Sequence, residues 1–164
     1  MKLFLMKKLI LFVAAMVSAF SLSAAPKTKT YKVTSPDGKI EVAVSVGENI
    51  TYTVSNKGEV MLAPSAISMN FEDGTVWGNA PKLKAKAIKS CKQNIAAPTS
   101  ARAKELQLNY NELELAGSKY GVMFRVFDNG VAYRFYTNDK KMNGIVVDEV
   151  AEFNFEGDPK AFLP

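Results

Sequence analysis

With no histidine among its 164 residues, this sequence leaves acid–base chemistry mainly to its carboxylates. The absence of histidine excludes Ser-His-Asp and Cys-His mechanisms and histidine-ligated zinc. Cys91 is the only cysteine, so no intrachain disulfide is possible. Any catalysis would therefore need two carboxylates close together, one acting as an acid and the other as a base.

Glu112 and Glu114 are the acidic pair best placed for such a role. They lie two positions apart in a strand-like segment, so both point to the same face of a sheet. We expect Glu112 to pair with an arginine, and a cation beside a carboxylate lowers its pKa, which is the wrong direction for a general acid. We expect Glu114 to be the more exposed of the two. The sequence therefore predicts no catalytic residue in this chain.

A β-hairpin is predicted around Asn129-Gly130, in the segment from Tyr120 to Thr137. β-Branched and aromatic residues flank this dipeptide, and Asn and Gly both tolerate the positive φ angles of a two-residue type I′ turn. The turn would place Arg125 directly opposite Arg134 on the side away from the core. Such a like-charge pair destabilises a sheet unless an anion lies between the two side chains.

The preceding strand, from Leu108 to Leu115, offers these arginines a counter-ion. If the loop 116–119 closes with Leu115 opposite Tyr120, Glu112 lies diagonal to Arg125. We therefore predict an internal ion network of Glu112, Arg125 and Arg134. The alternative is a docking face for another domain, whose acidic groups would meet the arginines.

Two further features could bind a partner. Trp77, the only tryptophan, follows a turn and could stack on a sugar, although packing inside the protein is the simpler interpretation. Lysines alternate with apolar residues from Lys82 to Lys86 and recur at Lys89 and Lys92. Lysines of this kind protect a sheet edge from pairing with another chain. The alternative is electrostatic binding of an acidic partner.

Residues 1–25 have the pattern of a secretory signal peptide. Lysines precede an apolar run from Leu9 to Phe20, which is too short for a comfortable membrane span of about 20 residues. Small residues up to Ala25 then mark a cleavage site, and no cysteine follows the run to accept a lipid. We expect a periplasmic or secreted protein with no membrane attachment after cleavage. A retained anchor is the alternative.

Cleavage would also remove much of the positive charge. The sequence has 21 basic and 16 acidic side chains, a net charge of +5. Three of the lysines lie in the leader, so 18 basic residues against 16 acidic ones leave +2. Because phosphate recognition needs a basic surface that persists after processing, no nucleic-acid partner is predicted.

Short alternating segments predict an all-β fold for residues 26–164. Apolar and polar residues alternate through 40–46 and 50–55, turn residues recur roughly every eight to twelve positions, and no later segment has helical periodicity. Residues 94–104 are predicted to form a loop. The pattern favours one two-sheet antiparallel β-sandwich. The last residues, 161–164, resemble an opening strand, so we expect a sandwich that is incomplete at its C-terminus.

Four sequence runs carry a family resemblance. They are Ser-Pro-Asp-Gly-Lys-Ile-Glu-Val at 35–42, Tyr-Asn-Glu-Leu at 110–113, Asp-Asn-Gly-Val-Ala-Tyr-Arg-Phe at 128–135 and Glu-Phe-Asn-Phe at 152–155. In this order and spacing they resemble the amino-terminal domain of glycoside hydrolase family 97, from about residue 31 to residue 164. The second and third runs together are the more specific part.

The resemblance implies a galactose-mutarotase-like β-super-sandwich that belongs to an exo-acting α-glucosidase or α-galactosidase. In this family a (β/α)₈ barrel follows the sandwich and carries the catalytic carboxylates and most calcium ligands. No catalytic or metal-binding residue carries over to this chain, and no cofactor is expected in it. The partners implied are the barrel domain and, through the whole enzyme, an oligosaccharide.

Two functions from different classes remain. The first is a non-catalytic domain that docks on the barrel and supplies walls of the substrate pocket. The second is a free-standing secreted module for carbohydrate binding or adhesion, which a β-sandwich also permits. A reading frame that continues into a barrel would favour the first.

Overall fold

The computed structural model describes residues 27–96, 104–158 and 160. The predicted leader at 1–25 and the apolar residues 161–164 lie outside them. The described residues contain no helix, and thus none that could cross a membrane. Their strands are β1 (Lys29–Thr34), β2 (Ile40–Val46), β3 (Ile50–Asn56), β4 (Glu59–Phe71), β5 (Val76–Trp77), β6 (Lys84–Ala85), β7 (Lys89–Ala96), β8 (Glu105–Ala116), β9 (Tyr120–Phe127), β10 (Gly130–Thr137) and β11 (Val146–Ala151).

The strands form two antiparallel sheets, as the alternating pattern predicted. The first has the order β1-β2-β3-β4-β11, and β5 also pairs with β4. The second has the order β10-β9-β8-β6, and β7 also pairs with β8. The predicted all-β, two-sheet antiparallel architecture is thus confirmed.

The lysine-rich segment lies at an edge of the second sheet, as predicted. There β6 and β7 both pair with β8, whose other side is covered by β9. The loop predicted at 94–104 is wrong at its start, because β7 continues to Ala96. Residues 97–103 of that loop lie outside the described part of the chain.

The core lies between the two sheets and uses every second residue of each central strand. β2 contributes Val42 and Val44, which are fully buried, and β9 contributes Val122, Phe124 and Val126 from the opposite sheet. Burying a side chain of this size is worth about 1.5–3 kcal/mol. This alternation fixes which face of the second sheet looks outward, and the candidate site lies on that face.

The central hairpin is present, but its turn differs from the predicted one. The loop consists of Asp128 and Asn129, and Gly130 already pairs with Phe127. Neither Asn129 nor Gly130 has a positive φ angle, so the type I′ prediction is wrong. The register shifts by two residues, which leaves the core face unchanged because side chains alternate with a period of two.

Candidate functional site

The outward face of the second sheet carries a polar layer, which we define by Glu112, Glu114, Arg125, Tyr136 and Lys86. Glu112 and Glu114 alternate along β8 with the core residues Leu113 and Leu115, so they point away from the core. Both are nevertheless only 8% exposed. The expectation that Glu114 is the more exposed carboxylate is therefore wrong.

Glu112 lies directly opposite Arg125 in the β8–β9 ladder. The Nε–H of Arg125 donates to Glu112 Oε2 at 2.8 Å. The guanidinium also lies over the ring of Tyr110, with its Cζ 4.7 Å from the ring centre. The predicted diagonal placement of Glu112 relative to Arg125 is wrong. The β8–β9 register differs by two residues from the predicted pairing of Leu115 with Tyr120, since Ala116 pairs with Gly121.

Glu114 contacts two lysines and a tyrosine hydroxyl that the sequence analysis did not predict as its partners. Lys86 Nζ lies 2.7 Å from Glu114 Oε1, and Lys89 Nζ lies 3.9 Å from Oε2. The hydroxyl of Tyr136 donates to Glu114 Oε1 at 2.5 Å. Lys86 directly follows β6, Lys89 begins β7 and Tyr136 lies on β10, so Glu114 links three parts of the sheet to its central strand β8.

These contacts fix the protonation states. The hydrogen bond from Lys86, then that from Tyr136, lowers the pKa of Glu114 below its usual value. Burial, followed by the bond to Glu114, raises the pKa of Tyr136 to about 12. Glu114 is thus ionised and Tyr136 protonated at neutral pH. A lowered pKa is the wrong direction for a general acid, so Glu114 is not suited to that role.

A glycine makes room for Tyr136 over the sheet. Gly121 lies opposite Tyr136 in the β9–β10 ladder. A Cβ atom at position 121 would overlap the phenol ring and its hydroxyl oxygen. The missing side chain therefore lets the ring lie flat across β9 and reach Glu114.

Arg134 takes no part in this ion network. It pairs with Met123 rather than with Arg125, so the predicted like-charge pair directly opposite one another is wrong. Its Nη2 lies 3.8 Å from Met123 Sδ, and within the described ranges it forms no ion pair. A small cavity of about 120 Å³ separates Arg125 and Arg134, and Ala132 lies on its wall.

Trp77 is buried, which argues against a sugar-stacking platform. Its side chain is 6% exposed. Tyr120 stacks on the indole at 4.8 Å between ring centres, and Phe71 packs against it at 4.7 Å. Packing, the simpler interpretation of this tryptophan, fits these contacts.

The described side chains do not form a metal-binding cluster. In the part of the chain that the structure describes, no three acidic or cysteine side chains form a group that could hold a metal ion. The calcium ion that the resemblance implies for the whole enzyme therefore does not fit a site built from the described side chains alone.

The fold and this site define a two-sheet β-sandwich domain with an internally paired layer of carboxylates. The chain belongs to the glycosyl-hydrolase 97 N-terminal family, whose model matches residues 33–164. The resemblance in the four sequence runs is thereby confirmed.

Similar proteins are much longer than this chain. A retaining α-galactosidase of Bacteroides thetaiotaomicron is 37% identical over 160 residues, which cover 97% of this chain and 23% of the relative. A family 97 enzyme of Pseudoalteromonas sp. strain K8, solved with panose, is 25% identical with a TM-score of 0.65, over 77% of this chain and 20% of that one. A β-arabinopyranosidase structure is 30% identical with a TM-score of 0.61, over 76% and 21%.

Proposed function

We propose that this chain is the non-catalytic N-terminal part of an exported exo-acting α-glycosidase, which cleaves sugars from oligosaccharides. The observation that carries the proposal is the family match together with its coverage: the chain spans about a quarter or less of the length of the relatives above. The lowered pKa of Glu114 supports a non-catalytic role, because glycoside hydrolysis needs one carboxylic acid with a raised pKa.

The substrate class follows from the relatives. The α-galactosidase of B. thetaiotaomicron favours an α-galactoside as the substrate of the whole enzyme. The structures of the Pseudoalteromonas enzyme with panose and with acarbose support oligosaccharides more generally. We assign calcium to the catalytic part of the enzyme on the strength of the family resemblance. The predicted leader at 1–25 supports export to the periplasm or beyond.

The outward face of the second sheet is the surface that we assign to docking on an acidic surface of the catalytic barrel. Lys86, Lys89, Arg125 and Arg134 bring four positive charges to this face, and the two buried glutamates neutralise only two of them. Arg134 is exposed and forms no ion pair within the described ranges, so its charge is available to a carboxylate of the partner. A charge on the rim of an interface acts mainly on the rate of association and its salt dependence.

The experiment measures activity and association together. The purified chain alone should not hydrolyse nitrophenyl α-galactoside or α-glucoside, with or without calcium. It should bind the portion of the B. thetaiotaomicron α-galactosidase that lies outside the aligned stretch. Arg134→Glu should weaken this association about tenfold at low salt.

Lys27→Glu is the matched control, since it makes the same charge reversal at an exposed residue that precedes the first strand. Equal loss in both variants would contradict the assignment of the docking face. Calcium-dependent turnover by the chain alone would contradict the non-catalytic role.

A further inference from the structure

A pocket of about 250 Å³ opens at one end of the sandwich, where three loops meet. It lies between the β4–β5 turn, the β8–β9 turn and the β10–β11 loop. We call it the polar pocket and define it by Asp73, Trp77, Lys119, Asp139 and Asn143. It uses none of the charged residues of the polar layer.

The three loops are held to one another by hydrogen bonds to backbone carbonyls. The N–H of Asn138 donates to the carbonyl of Lys119 at 2.8 Å, and its side-chain amide donates to the carbonyl of Gly117 at 2.9 Å. On the other side, the N–H of Glu72 donates to the carbonyl of Ile145 at 3.0 Å. The walls are therefore formed without a ligand, which lowers the cost of binding one.

The carboxylates of Asp73 and Asp139 are each oriented by a hydrogen bond from a backbone N–H two residues further along the chain. The N–H of Thr75 donates to Asp73 Oδ1 at 2.9 Å, and the N–H of Lys141 donates to Asp139 Oδ1 at the same distance. Asp139 Oδ2 has no hydrogen-bond partner within the described ranges. Asp139 is exposed, so this oxygen is available to accept a hydrogen bond from a ligand hydroxyl. Asn143 adds an amide with both donors and an acceptor, and Lys119 adds donors only.

An apolar floor accompanies these polar groups. Trp77 lines the pocket but is held between Tyr120 and Phe71, so little of its surface is accessible. Met142 lines both this pocket and an adjoining, mostly apolar depression of about 310 Å³. Hydroxyl-binding groups beside an apolar surface match a pyranose ring, whose hydroxyls lie around its rim and whose faces carry C–H groups.

We propose that the polar pocket binds one neutral pyranose unit. The volume suits a single ring, and ligand sites generally combine apolar walls with a few oriented polar groups. Asp73 and Asp139 outweigh Lys119 by one negative charge, so the pocket selects against a sugar that carries a carboxylate.

The proposal is tested by titrating the ¹⁵N-labelled chain with D-galactose, D-glucose and D-glucuronate and following amide shifts by NMR. At least one neutral hexose should bind with a dissociation constant on the order of 1 mM. Shifts should concentrate at residues 73–77, 117–119 and 138–144. D-Glucuronate should bind about tenfold more weakly, because the net charge of the pocket repels it.

Asp139→Asn is the decisive variant, because Asn keeps the Oδ1 that accepts from Lys141 and loses only the charged oxygen. It should weaken hexose binding about tenfold. Asp148→Asn on β11, outside the pocket, is the matched control and should bind as the parent does. Unchanged affinity in Asp139→Asn, no saturable binding of either hexose, or shifts at these residues with calcium chloride alone would each overturn the proposal.

Discussion

Two regions of this domain reverse the usual relation between polarity and burial. In the polar layer Glu112 and Glu114 are each 8% exposed. Beside the first sheet, Phe153 and Phe155 are 60% and 59% exposed and line an apolar groove of about 310 Å³. Carboxylates are almost never buried unless they are paired, whereas phenylalanine is usually buried. Position in the sheet, rather than residue type, must explain the reversal.

The difference lies in the neighbours that each region has. β8 is a central strand, so its carboxylates are surrounded by Lys86, which follows β6, and by residues of β7, β9 and β10, which together supply cations and a phenol. Residues 152–155 follow the edge strand β11 and join β4 through a few bonds, such as that from Ala63 N–H to Asn154 O at 2.8 Å. An edge segment has neighbours on one side only. Burial in this domain therefore depends on how many strands flank a residue.

The largest expected effect compares one residue from each region. Glu114→Ala should lower the free energy of unfolding by about 2–3 kcal/mol, because it leaves the Tyr136 hydroxyl without its acceptor and opens a gap in the layer. Phe155→Ala should cost less than about 1 kcal/mol, because most of its ring is already in water. Urea unfolding of both variants checks this order. Equal losses would mean that the polar layer contributes no more than the exposed ring.

The second effect depends on the fit between Gly121 and Tyr136. Gly121→Ala should cost about 1–2 kcal/mol, because the new methyl group displaces the ring that binds Glu114. In a Tyr136→Ala background the same substitution should cost close to nothing. A double-mutant cycle from urea unfolding measures this coupling. Additive losses would show that the crowding arises elsewhere in the sheet.

The sequence predicted the sheets and the core more reliably than the pairing of single residues. Alternation along β2, β3 and β9 identified the buried face, and a register shift of two residues leaves that face intact. The Asn-Gly dipeptide favoured a turn that the structure does not use, since Gly130 instead begins β10. Turn chemistry acts over a few residues, and the ladder with β8 constrains the hairpin from outside.

The partners of Glu114 could not be predicted for a related reason. Lys86 and Lys89 are distant in sequence, and they reach Glu114 only because β6 and β7 share one edge of β8. The alternating lysines did indicate an edge strand, but not which carboxylate they face. Gly121 beside an aromatic strand is the one local signal of a ring that crosses β9.

The smallest effect concerns acid stability. The pKa of Glu114 is lowered in the folded chain, first by its bond with Lys86, whereas an unfolded glutamate titrates at about 4.3. The bonds of Glu114 thus stabilise the fold fully above that pH, and this contribution is lost as the pH falls through the lower folded value. Melting temperatures of the parent should therefore drop between pH 6 and pH 3, and Glu114→Gln should drop less. Glu59→Gln, an exposed residue at the start of β4, is the control and should follow the parent. Identical pH profiles for the parent and Glu114→Gln would show that this carboxylate is solvated like an ordinary surface group.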